Sequence, residues 1–98
     1  MNTSTPQATQ PDWNLLRAFL AVVDAGSLTG ATRLLATSQP PLSRQIAELE
    51  SSLRVALFER VARGVRLTAA GEALVLPARQ MQTAAQAVSL AALGQTQQ

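Results

Sequence analysis

With 98 residues and an apolar fraction of 47%, the chain has the size of one small domain with a modest core, and its composition excludes general disorder. Cysteine, histidine, tyrosine and lysine are absent, which removes disulfides and thiolate metal sites and leaves the hydroxyls without an ordinary base. An enzyme, a metal protein and a cofactor carrier are therefore not expected, and with no apolar run near the ~20 residues of a membrane span, neither is a membrane protein.

Residues 1–12 are polar, with prolines at 6 and 11, and are expected to be a flexible segment. From Trp13 to Ala25 the residues Leu15, Leu16, Phe19, Leu20, Val22 and Val23 recur at helical spacing, while Asn14, Arg17 and Asp24 fall on other faces. Gly26 suits the left-handed end of that helix. Ser27 can cap a second, short helix that turns Leu28, Ala31, Leu34 and Leu35 inward.

The turn Ala36-Thr37-Ser38 leads to a third helix from Gln39 to about Leu53, with Leu42, Ile46, Leu49 and Leu53 as its apolar stripe. Ser38 is the expected cap, and Pro40 and Pro41 cost little in a first turn whose amides have no intrahelical acceptor. Ser43, Arg44 and Glu48 occupy the opposite face, where Arg44 and Glu48, four apart, can form a surface ion pair. Two helices joined by a tight turn, the second with a polar, protruding start, form the unit that proteins lay in a DNA major groove.

Beyond it, Leu57 to Thr68 contains two β-favouring segments around Ala62-Arg63-Gly64 and reads as a small hairpin, or wing. Val65 and Leu67 share one face of its second strand, Arg66 takes the other, and Arg63 sits at the tip. Thr68 can cap a long, alanine-rich helix from Ala69 to about Leu93, with Leu74, Met81, Ala85 and Val88 along one side. Pro77 inside it should remove the bond to the Ala73 carbonyl and bend or break the helix. Residues 94–98 are expected to be a disordered tail. The fold class expected is mainly α: a winged helix-turn-helix (three helices plus a β-hairpin wing) over 13–68, then a long linker or dimerisation helix over 69–93.

Charge is modest. The net value is +2, all eight cations are arginine, and between Arg33 and Arg66 six arginines face three glutamates. A solvated surface and a nucleic-acid-binding face both fit that excess, so the position of each arginine on the motif must decide.

The segments AVVDAGSLTGA, SQPPLSRQ, LFER and RLTAAGEAL occur in an order and at a spacing that resemble the DNA-binding domain of LysR-type bacterial transcription regulators, over about residues 13–90. The resemblance implies sequence-specific binding of double-stranded DNA by a cytoplasmic, nucleoid-associated regulator. Its members normally continue into a larger C-terminal effector-binding domain, so a small-molecule effector would act only through a domain outside this chain. It further implies a homodimer paired through the long helix by Leu74, Met81, Ala85 and Val88, a tetramer being open to the full-length protein.

By the same resemblance Gln39, Pro40, Ser43 and Arg44 would meet the bases of the major groove, and Arg63 would enter the adjacent minor groove. The chemistry agrees: arginine bonds guanine bidentately, glutamine does so with adenine, and proline offers an apolar surface to a thymine methyl. Ser27, Thr29, Ser38, Arg66 and Thr68 are candidate phosphate contacts, although simple helix capping accounts equally well for the hydroxyls at helix starts.

Four positions depart from the family pattern. Gly30 replaces a frequent basic residue and weakens its helix by up to ~1 kcal/mol. Leu28 replaces a frequent phenylalanine, and Thr32 a frequent alanine. Arg54 stands where glycine commonly ends the third helix, so a left-handed residue there would be strained. The alternative function is a helical dimerisation module with only non-specific DNA affinity, against which stand the polar residues Gln39, Ser43, Arg44 and Arg63 on surfaces a core does not need.

Overall fold

Asp12 starts the first helix by accepting a hydrogen bond from the Asn14 amide at 2.7 Å, and helix α1 runs Trp13–Ala25 to a left-handed Gly26. The computed structural model describes residues 10–96, which continue as α2 (Leu28–Leu35), α3 (Gln39–Leu53), β1 (Phe58–Val61), β2 (Gly64–Leu67) and α4 (Ala69–Thr96). The expected order of three helices, hairpin and long helix therefore holds. Of the segments expected to be flexible, residues 1–9 and 97–98 lie outside the described residues.

The core forms where α1 crosses α2 and α3, with Leu16, Phe19, Leu20, Val22, Leu42 and Leu49 fully buried. Each such side chain contributes about 1.5–3 kcal/mol by leaving water. Leu34 is a correction: it is 61% exposed, because it lies roughly 100° around an eight-residue helix from the inward line of Leu28, Ala31 and Leu35.

The strands pair antiparallel, Phe58 opposite Leu67 and Val61 opposite Gly64, so the turn is Ala62-Arg63. Gly64, at φ 126°, allows the wing to abut the α1–α2 turn, where an added Cβ would lie 2.6 Å from the Gly26 carbonyl oxygen. Phe58 packs on Phe19 with ring centroids 5.4 Å apart, which fastens the first strand to α1.

Helix α4 is anchored by its first half. Thr68 Oγ1 caps it by accepting from the Gly71 amide at 3.0 Å, and Gly71 lies so close to the Leu57 carbonyl oxygen that a Cβ would come within 2.2 Å. Ala78 is buried, and Arg79 makes a two-pronged ion pair with Asp24 of α1. The hydrogen bonds from Arg79, opposed in part by burial, hold the Asp24 carboxyl below the usual carboxylate range. The helix is unbroken through Pro77 and extends to Thr96, three residues past the expected end at Leu93. Gly94 lowers helix propensity by about 1 kcal/mol, an amount the alanine-rich flanks absorb.

Candidate nucleic-acid interface

Helix α2 begins with Ser27, whose Oγ accepts from the Gly30 amide at 3.0 Å, and ends on Ala36 in the left-handed conformation. The reversal leads directly into α3. Ser38 precedes it but makes no side-chain cap bond, contrary to expectation. A cap oxygen accepts from the second or third helical amide, and here those positions are Pro40 and Pro41, which have none. The Ser38 hydroxyl is thus left to solvent or a ligand, and Gln39 alone keeps an amide hydrogen among the first three residues of α3.

Gln39, Pro40 and Arg44 are exposed at that start. Ser43 is half-buried and borders a cleft of about 200 Å³ between α3 and the wing, together with Ala47, Glu50, Phe58 and Arg60. The expected Arg44–Glu48 pair does not form: the ion pairs among the described residues are Arg66–Glu59 and Arg79–Asp24. Arg44 keeps its guanidinium free, since an exposed pair would return only a few tenths of a kcal/mol against the freedom of two long side chains.

The wing presents its arginines differently. Arg63, exposed at the turn, has no ion pair, whereas Arg66 is held at 3.0 Å by Glu59, its directly opposite neighbour. Arg60 had no functional reading in the sequence. It shares a strand face with Phe58 and borders two clefts, one beside Ser43 and the other beside Thr29 and Gln39. Period-two alternation from the inward-facing Phe58 is the signal that points to it.

The hydroxyls also separate by what their single hydrogen does. Thr68 gives its hydrogen to the Ala56 carbonyl at 2.6 Å, so it has none for a phosphate, and its role is structural. Ser27 and Thr29 act as acceptors here, from the Gly30 amide and from Gln39 Nε2 at 2.8 Å, so their hydrogens stay free to donate. Glu50 is a further residue without an earlier role. Its carboxylate accepts from the Leu57 and Phe58 amides at 2.7 and 3.2 Å and ties α3 to the first strand of the wing.

On α4 the expected pairing face divides. Leu74 is half-buried and packs against the domain's own core, and Ala85 is half-buried in a groove with Trp13, Gln82 and Ser89. Met81 and Val88 are open, 42% and 69% exposed, as are Leu76 and Leu90. Among the described residues no group of histidines, cysteines and carboxylates could hold a metal ion, and no helix is long and apolar enough to cross a membrane.

A buried three-helix core, a protruding polar helix start, a two-stranded wing beside it and a long terminal helix define a winged helix-turn-helix domain. The chain belongs to the lysR family of bacterial regulatory helix-turn-helix proteins, which it matches over residues 13–72. It is 49% identical over 70 residues to the HTH-type transcriptional regulator ClcR of Pseudomonas putida, an alignment covering 71% of this chain and 24% of ClcR. It thus spans about a quarter of the length of such relatives. In structure it is similar to the CbnR DBD–DNA complex, with TM-score 0.79 and 37% identity over 88% of this chain and 99% of that one. The complex of the BenM DBD with catB site 1 DNA gives TM-score 0.75 and 39% identity over 83% and 92% of the two chains.

Proposed function

We propose that this domain binds double-stranded DNA sequence-specifically for a transcription regulator, with the start of α3 in the major groove and Arg63 of the wing in the neighbouring minor groove. The observation that carries the reading is the exposed cluster of Gln39, Pro40 and unpaired Arg44, set beside a wing whose tip arginine is also unpaired. Arg44 suits bidentate recognition of guanine, Pro40 a thymine methyl, and Ser43 a contact from the edge of the cleft. Arg63 responds to groove width and negative potential more than to base identity. Ser27, Thr29 and Ser38, with hydrogens to donate, hold phosphates, as does Arg66 through the part of its charge Glu59 leaves unspent.

Two copies pair through Met81 and Val88 of α4, with Ala85 at the edge of the contact. Such a dimer sets two α3 helices into an inverted repeat, roughly one turn or ~34 Å apart. It works on the nucleoid in the cytoplasm, and a small-molecule effector acts through a domain outside this chain. The relatives solved with DNA, being close in fold and in sequence, support the reading.

Selection of bound duplexes from a random pool, with the mass of the complex, gives the site and stoichiometry. Fluorescence anisotropy on that duplex and a scrambled one then tests the roles. Arg44→Ala loses ~1–3 kcal/mol of discrimination, whereas Arg63→Ala weakens both duplexes with less change in preference. Equal loss on both duplexes for Arg44→Ala refutes direct reading.

A further inference from the structure

Gln39 differs from the other candidate base-reading residues in being held already by the protein. Its Nε2 donates to Thr29 Oγ1 at 2.8 Å, across ten residues and from one helix of the motif to the other. Both residues are exposed and border the cleft that Ser27 and Arg60 complete between the start of α2 and the wing. We infer that Thr29 is a positioning residue for specificity: it fixes how Gln39 presents its amide to a base and links that presentation to a backbone phosphate. The inference rests on Gln39 reading a base, as proposed above.

A glutamine on a bare surface turns its amide freely and offers a donor or an acceptor to the groove with little preference. With Nε2 engaged by Thr29, Oε1 is the amide atom left to accept from a base. It suits the exocyclic amino group of adenine or cytosine, and the second Nε2 hydrogen can complete the bidentate pattern with adenine N7. Thr29 takes part at its other end. Its oxygen accepts from Gln39, which leaves its hydroxyl hydrogen to donate from the first turn of α2, where the helix field favours an anion. A hydroxyl that donates to a phosphate becomes a better acceptor, so phosphate contact tightens the grip on Gln39. The chain of bonds runs phosphate, Thr29, Gln39, base.

The test uses the whole chain and four duplexes that differ only at the base pair whose preference Gln39→Ala abolishes. Thr29→Val, close in shape but without the hydroxyl, is expected to reduce discrimination among the four by about three- to tenfold, the worth of one hydrogen bond. Thr29→Ser restores the discrimination, and Thr29→Val changes none in the Gln39→Ala background. Thr29→Ala serves as a second hydroxyl-free variant should the valine fail to fold. A uniform loss on all four duplexes, the mark of a phosphate contact alone, overturns the inference, as does no loss. If Gln39→Ala shifts no preference, the base-reading role of Gln39 falls, a failure distinct from that of the coupling.

Discussion

Replacing Arg54 by glycine should stabilise the domain. Arg54 ends α3 at φ 60°, ψ 39°, with its amide directed at the Glu50 and Ser51 carbonyls. In that left-handed conformation a β-carbon crowds the following carbonyl and costs roughly 1–2 kcal/mol. Glycine removes the crowding and returns about 0.4–1 kcal/mol through the greater freedom of the unfolded chain. The side chain is exposed and has no ion pair, so its loss adds little, and the net gain is about 0.5–1 kcal/mol. Urea denaturation at one fixed protein concentration should show a higher midpoint at an unchanged slope, and the melting temperature should rise by about 2–8 °C. Arg54→Ala is the control, since it discards the charge but keeps the β-carbon. Were Arg54→Gly no more stable than Arg54→Ala, left-handed crowding would be the wrong account of this turn.

Gly71→Ala should act in the opposite direction. The new methyl meets the Leu57 oxygen at 2.2 Å, and that oxygen also accepts the Thr68 amide at 3.0 Å and yields little, so a loss of about 2–3 kcal/mol is expected in the same denaturation assay. A loss under ~0.5 kcal/mol would show that α4 shifts without penalty. Asp24→Asn probes the tie between α1 and α4: because the folded carboxyl is held below its ordinary value, its contribution is full above the unfolded value near 3.9 and is lost as pH falls through the folded one. Both partners are more than a third exposed, so the deficit of Asp24→Asn is below ~1 kcal/mol at about pH 7 and closes in acid as the lowered folded value is passed; a gap that persists there would assign the effect to packing.

The helices were legible where burial imposes a period. α1 and α3 have the bounds their apolar spacing implies, since Leu16, Phe19 and Leu20, or Leu42, Ile46 and Leu49, face one core. Leu34 defeated the same rule because eight residues make two turns, too few to tell the inward line from its neighbour. Composition places Asp12 in a polar segment, whereas it is the cap of α1, since composition does not show which polar residue meets an amide. Ser38 failed as a cap for a reason present in the sequence, the missing amides of Pro40 and Pro41. The exposed residues at the start of α3 and the wing tip were readable as candidates. What joins them was not: Thr29 to Gln39 and Glu50 to the wing are contacts between elements that no local pattern records.

Pro40 and Pro41 leave the first three residues of α3 with one amide hydrogen where they would ordinarily offer three. On the proposed reading the start of α3 therefore offers phosphates few backbone amides, and that part of the grip would fall to Ser38, the hydroxyls of α2 and the arginines of the wing. Retention on DNA and choice of address would then rest largely on different residues, with Thr29 as the point where the two meet. Exchange of the uncharged Gln39 or Ser43 would then redirect the domain to another operator with little change in its general hold on a duplex. A lineage of regulators can in this way diverge in target without first passing through members that have lost their purchase on the chromosome.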